Sequence, residues 1–168
     1  MHNFEKPFRL GLYEKAMPNS LNWEEKIQMA KELGFDFIEI SVDESDERLQ
    51  RLDWSDDEIY QLRHLCEHYG LPLQSMCLSA HRRFPFGSED PTIREQAHRI
   101  MEKAINLAYK LGIRCIQLAG YDVYYEPQTG RHASAFYRRY ESRDQNGRTR
   151  GCHARCRDHG HALPQFAE

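Results

Sequence analysis

Charged and polar side chains gather at four places in the chain, each just after a short apolar run. These are Tyr13-Glu14-Lys15, then Glu39 and Ser41 with Asp43-Glu44, then Ser79-Ala80-His81-Arg82-Arg83, and last Gln117 with Tyr121-Asp122. Glu39 lies inside its apolar run, where an inward-facing unpaired carboxylate is costly and therefore points to ligand or metal chemistry. His81 with two following arginines is the sharpest cluster. An imidazole can titrate near neutral pH or hydrogen-bond a sugar hydroxyl, and a guanidinium matches a phosphate bidentately. Plainer readings stand beside these. Glu14-Lys15 reads equally as a solvated turn, Asp43 to Arg51 as a solvated mixed-charge face, and Arg83 as a surface salt bridge. His64, His68 and His98 read as surface positions on helices.

The elements that would position these residues follow a repeat. The chain opens on a strand at Arg9–Tyr13, then a helix over Trp23–Leu33 with Asn22 as N-cap and Glu25 completing a capping box. Gly34 stops that helix, and FDFIEIS (Phe35–Ser41) is the second strand, with Ile38 and Ile40 out of step with Phe35 and Phe37. A polar connection leads to Ser55-Asp56-Asp57-Glu58, a second capping box, and a helix to Tyr69 closed by Gly70. Leu73–Ser79 is strand three. A third helix, opening at a capping box over Thr92–Glu95, carries an apolar stripe through Ile93, Ala97, Ile100, Met101, Ala104, Ile105, Ala108 and Leu111. Gly112 stops it, and Cys115–Gly120 is strand four.

A strand–helix–Gly–strand unit at this spacing predicts parallel strands joined by helical crossovers. An open doubly wound sheet and a (β/α)8 barrel both fit. In either, chemistry sits at the C-terminal strand ends, where the four polar clusters fall. No Gly-rich phosphate loop follows strand one, which weakens the nucleotide-binding option. Four units make half a barrel. The predicted fold is thus α/β, the N-terminal half of a (β/α)8 barrel with about four parallel strands and three main helices.

Charge is uneven along the 168 residues. The whole chain carries 23 Lys+Arg against 26 Asp+Glu, a net of −3. Residues 1–127 hold 15 and 22 of these, and residues 128–168 hold 8 and 4, every one of the eight an Arg. Leu163 is the tail's only Leu, Ile, Val or Met. Such a segment buries too little apolar surface to offset its ordering entropy, so 1–127 reads as the folded unit and 128–168 as disordered. The overall charge gives no footprint for nucleic acid. No apolar run approaches the ~20 residues that span a bilayer, and the start lacks a signal-peptide core, so a cytoplasmic protein without membrane partners is expected. Five scattered cysteines do not form a disulfide framework. Cys152, Cys156, His159 and His161 have short metal-like spacing, and a small zinc- or nucleic-acid-binding module using this tail is the alternative reading.

The strings LGLYEKA, FDFIEISVDESDERLQRLDWS, SMCLSAHRRFPFGSED and IQLAGYDVYYE resemble the L-ribulose-5-phosphate 3-epimerase family, from about Arg9 to Glu126. That family belongs to the xylose-isomerase-like TIM barrels. The resemblance implies interconversion of L-xylulose 5-phosphate and L-ribulose 5-phosphate in L-ascorbate and pentose catabolism. The proton α to the carbonyl is removed and one is returned on the other face, through an enediolate held by a divalent metal. In related barrels the metal ligands and both proton-carrying carboxylates come from the second half. The resemblance therefore implies substrate contacts only, at Glu14, Glu39, His81, Arg82, Gln117 and Tyr121, with no metal expected to bind this chain specifically. The open edges of a half barrel favour self-association.

The tail also has a reading one nucleotide out of frame. With permitted codons, His153–His161 shifted by one base gives MLAVEIMD, similar to the family's next strand. His132–Glu141 gives TRRRFIDGM and His161–Ala167 gives TPFLNS, in family order. The expectation is a frameshift near Gly130 and a truncated, inactive, pseudogene-like product.

Overall fold

The computed structural model describes residues 8–120, 123–126 and 153–157. Strands β1 (Gly11–Tyr13), β2 (Phe37–Val42), β3 (Leu73–Leu78), β4 (Cys115–Ala119) and β5 (His153–Arg157) form one sheet in sequential order, parallel at every pairing. A doubly wound sheet reverses its order at a switch point, whereas a barrel wall adds each strand beside the last. The observed order decides between the two architectures in favour of the barrel half.

Helices α1 (Trp23–Glu32), α3 (Asp56–Tyr69) and α4 (Pro91–Leu111) lie between successive strands. The capping boxes at Asn22 and Ser55 form, each with Glu three residues on. The third helix starts earlier than its expected box. Asp90 caps it by accepting from Thr92 N at 2.8 Å, and Pro91 occupies the first turn, where its missing N–H costs nothing. Gly34, Gly70 and Gly112 take φ of 78°, 62° and 74° at the helix stops, a region that side chains resist.

The sheet is two-faced. Ile38, Ile40, Val42, Met76, Leu78, Ile116 and Leu118 are at most 2% exposed and join Ile27, Ile100, Met101 and Ile105 in one core. This explains the phase change in strand two. Its helix-facing set is Ile38, Ile40 and Val42, while Phe37, Glu39 and Ser41 take the opposite face. Register puts Tyr13 beside Glu39, Glu39 beside Ser75, and Cys77 beside Gln117, so those side chains share that second face.

Two expectations fail here. The run after Asp43 is not a solvated face: Ser45 caps a one-turn helix, α2 (Asp46–Leu49), a 3-10 turn follows at Gln50–Asp53, and Asp43, Arg48 and Arg51 are buried. His98 is not a surface residue; its ring lies 5.3 Å from that of Phe86 and its Nδ1 is buried. Within the tail, His153–Arg157 pairs with β4 as a fifth strand. Low apolar content argues against side-chain burial, but an open parallel edge offers backbone hydrogen bonds to any extended segment. The rest of residues 127–168, including Cys152, His159 and His161, lies outside the described residues.

Candidate substrate pocket at the strand ends

Tyr13, Lys15, Glu39, Cys77, Ser79, Arg82 and Gln117 line a cavity of about 170 Å³ where the four strands end, floored by Leu118 and Ala119. Glu39 is its organising group. One carboxylate oxygen, Oε2, accepts from Ser75 Oγ on β3 at 2.7 Å and from Gln117 Nε2 on β4 at 2.5 Å. Both donors are neutral, so neither is a counter-ion, and among the described residues the second oxygen is left for further hydrogen bonds. Tyr13 OH lies 3.2 Å from Ser41 Oγ. Burial pushes the Tyr13 phenol up to about 12, with the Ser41 hydrogen bond opposing and Cys77 and Asp43 adding to the rise, so it remains a neutral donor at physiological pH.

Cations border the cavity on two sides. Lys15 is ion-paired with Asp43. Burial alone would raise the Asp43 carboxyl, but hydrogen bonds from Lys15 and Ser45 outweigh it and hold the group below its ordinary value. Arg82 leaves the 3-10 turn after β3 and stacks its guanidinium 5.0 Å from the centre of the Tyr124 ring. Arg83 points outward and pairs with Asp46 at 2.7 Å, the salt-bridge alternative.

Of the six residues expected to contact substrate, Glu39, Arg82 and Gln117 converge on this cavity. Two others do not line it. Glu14 is fully buried on the far side of its turn, accepting from Ser41 N at 2.9 Å, Arg48 Nε at 3.3 Å and Arg51 Nη1 at 2.6 Å. His81 packs edge-on against Phe86 with ring centroids 4.3 Å apart, and among the described residues neither ring nitrogen finds a hydrogen-bond partner. Burial, with the nearby His98, pushes its imidazole down to about 4, so it is neutral. Tyr121 lies outside the described residues. Cys77 was missed as a pocket residue, while Tyr13, Lys15 and Ser79 stood in the strand-end clusters but not among the expected substrate contacts. The signal for Tyr13 was its alignment beside Glu39, visible only once register is known.

The comparisons with known proteins agree with this architecture. The model of the xylose isomerase-like TIM barrel matches residues 27–145. The chain belongs to that family. It is 58% identical over 121 residues to the L-ribulose-5-phosphate 3-epimerase UlaE of Escherichia coli O139:H28, covering 72% of this chain and 43% of that protein. SgbU of Haemophilus influenzae is 55% identical over 123 residues, covering 73% of this chain and 43% of the relative. The chain thus spans about two fifths of the length of these relatives. Among solved structures, the D-psicose 3-epimerase of Clostridium cellulolyticum superposes with a TM-score of 0.73 at 19% identity, over 88% of this chain and 51% of that one. This likeness shows the fold alone.

A divalent metal does not fit the described residues. Among the described residues no three His, Cys, Asp or Glu side chains converge as ligands, and Glu39 is the only carboxylate lining the strand-end cavity. One carboxylate already holding two neutral donors is short of the ligand number such a cation takes.

Proposed function

We propose that residues 1–127 are the substrate-gripping half of an L-ribulose-5-phosphate 3-epimerase, acting on L-xylulose 5-phosphate and L-ribulose 5-phosphate in cytoplasmic L-ascorbate and pentose catabolism. The observation that carries this reading is Glu39, fixed by Ser75 and Gln117 at the strand ends with an oxygen still able to accept. A pentulose hydroxyl donates to that oxygen. Tyr13 OH and the Gln117 amide bracket the sugar chain, and the Arg82 guanidinium meets the phosphate. The identity to UlaE over this half supports the substrate class. Among the described residues no helix is long and apolar enough to cross a membrane.

The chemistry of inversion needs more than this wall. Removing a proton beside the carbonyl and returning one on the opposite face takes two opposed acid–base groups. Among the described residues Glu39 is the only carboxylate lining the cavity, so the role proposed for this half is to bind and orient substrate without turning it over. Residues from about Arg131 are proposed to be a read-out one nucleotide out of frame, and copies of the half-sheet to associate through their open edges. Epimerisation of L-xylulose 5-phosphate with added Mn²⁺, Mg²⁺ or Zn²⁺ is expected to stay at background. Turnover abolished by EDTA would sink that reading. The gene's nucleotide sequence checks the frame: codons that cannot give family-like sequence in the neighbouring frame refute it.

A further inference from the structure

A second cavity, of about 260 Å³, lies between the turn before α1 and the turn after α2. Its walls are Trp23 and Trp54, edge-to-face with ring centroids 6.3 Å apart. Lys26 and Arg51 lie over these rings. The Lys26 ammonium is 5.3 Å from the Trp23 centroid, and the Arg51 guanidinium is 5.3 Å from Trp23 and 5.7 Å from Trp54.

Charge in this region does not balance. The buried ions are Lys26, Arg48 and Arg51 against Glu14 and Asp43. Arg51 spends its charge on Glu14, and Arg48 divides its own between Glu14 and Asp43. Asp43 is further neutralised by Lys15. Lys26 is left over. It is 5% exposed, lines the cavity, and has no hydrogen bond or ion pair among the described residues. Burial holds its ammonium below the ordinary lysine range, with Glu14 opposing, as expected for a cation lacking a fixed counter-ion. Asn19 adds a donor, because its Oδ1 is already committed to Arg48 Nη2 at 2.7 Å and its amide NH₂ remains. Glu47, the one carboxylate in the lining, is exposed at the rim.

We propose that this cavity is a binding site for a phosphate-class oxyanion, with Lys26 as its charge partner, Asn19 as a second donor and the two indoles as walls. A buried ammonium with aromatic walls, no ion pair among the described residues and only the exposed Glu47 carboxylate at its rim gains most from a ligand that brings a fixed opposite charge. The site is separate from the strand-end cavity and shares no lining residue with it. It therefore stands whether or not the epimerase reading does.

Trp23 and Trp54 are the only two tryptophans in the chain, so intrinsic fluorescence reports on the cavity directly. Titration of the full chain with inorganic phosphate should give a saturable change that sodium chloride at equal ionic strength does not reproduce. Lys26→Met should weaken the response about tenfold or more, the loss of a charge-assisted hydrogen bond. Asn19→Ala, at an exposed position, should weaken it about threefold and keeps the test open if Lys26→Met alters the circular dichroism spectrum. Glu47→Gln should tighten binding about twofold by removing a competing rim charge. A response matched by chloride, a non-saturating one, or unchanged affinity in both Lys26→Met and Asn19→Ala overturns the proposal.

Discussion

Glu14 and Glu39 are carboxylates at neighbouring strands, one residue apart in register, since Tyr13 aligns with Glu39. They have opposite fates. Glu14 is completely enclosed and its two oxygens are taken by Arg48, Arg51 and a backbone N–H. Glu39 is half-buried, its partners are neutral, and it faces a cavity. A carboxylate matched by fixed cations is part of the scaffold. One held by neutral donors retains charge for a ligand. The difference lies in the partners, which come from residues far away in sequence, Arg48 and Arg51 for one and Ser75 and Gln117 for the other.

The largest test of this contrast is Glu14→Ala. Two buried guanidinium groups would lose their shared counter-ion, and breaking a buried ion pair from one side costs about 3–5 kcal/mol. The urea midpoint of the variant should fall accordingly, with the slope unchanged. A loss below about 1 kcal/mol would mean that water already screens the cluster.

His81 gives the next effect, through pH. Its imidazole titrates near 6.5 when unfolded and about 4 when folded. Between those values the unfolded chain binds the extra proton, so stability is fully present above about pH 6.5 and is lost as pH falls toward 4, by at most about 1.4 kcal/mol per pH unit. The lowered Asp43 carboxyl acts below that window, its contribution being lost only as pH falls through its depressed value. His81→Leu should flatten the slope of the urea midpoint between pH 6.5 and 4; an unaltered slope would show that the ring is solvated. A smaller change belongs to Gly112→Ala, where φ is 74° and a Cβ meets open space, so the penalty is backbone strain alone, about 1 kcal/mol, read as a lower thermal midpoint.

Much of the half-barrel was legible in the sequence because its signals are local. Asn22 with Glu25, Ser55 with Glu58, and the glycine stops each act within a few residues, and they set α1, α3 and the turn into every strand. Even there, a capping pattern over Thr92–Glu95 lost to Asp90-Pro91 two residues earlier, because a proline at the first turn fits without losing a hydrogen bond. The site was legible only in part. Strand ends located Glu39, Arg82 and Gln117, but a residue's place in the chain does not say which way its side chain leaves a turn. Glu14 and Lys15 are adjacent, yet one enters the ion cluster and the other the cavity rim. The charges from Asp43 to Arg51 looked solvated because their counter-ions are supplied by a different strand turn.

The smallest expected change in stability is also the sharpest division between the two carboxylates. Glu39→Gln preserves shape and keeps an acceptor for Ser75 and Gln117, so the urea midpoint should shift by no more than about 1 kcal/mol. Affinity for L-xylulose 5-phosphate, measured by calorimetry on the full chain, should nonetheless fall about tenfold, because a hydroxyl donates more strongly to a carboxylate than to an amide. If Glu39→Gln instead destabilised the fold as much as Glu14→Ala, the Ser75–Glu39–Gln117 bonds would be holding β2, β3 and β4 together. Glu39 would then be scaffold, and the strand-end cavity would have no charge of its own to offer a sugar.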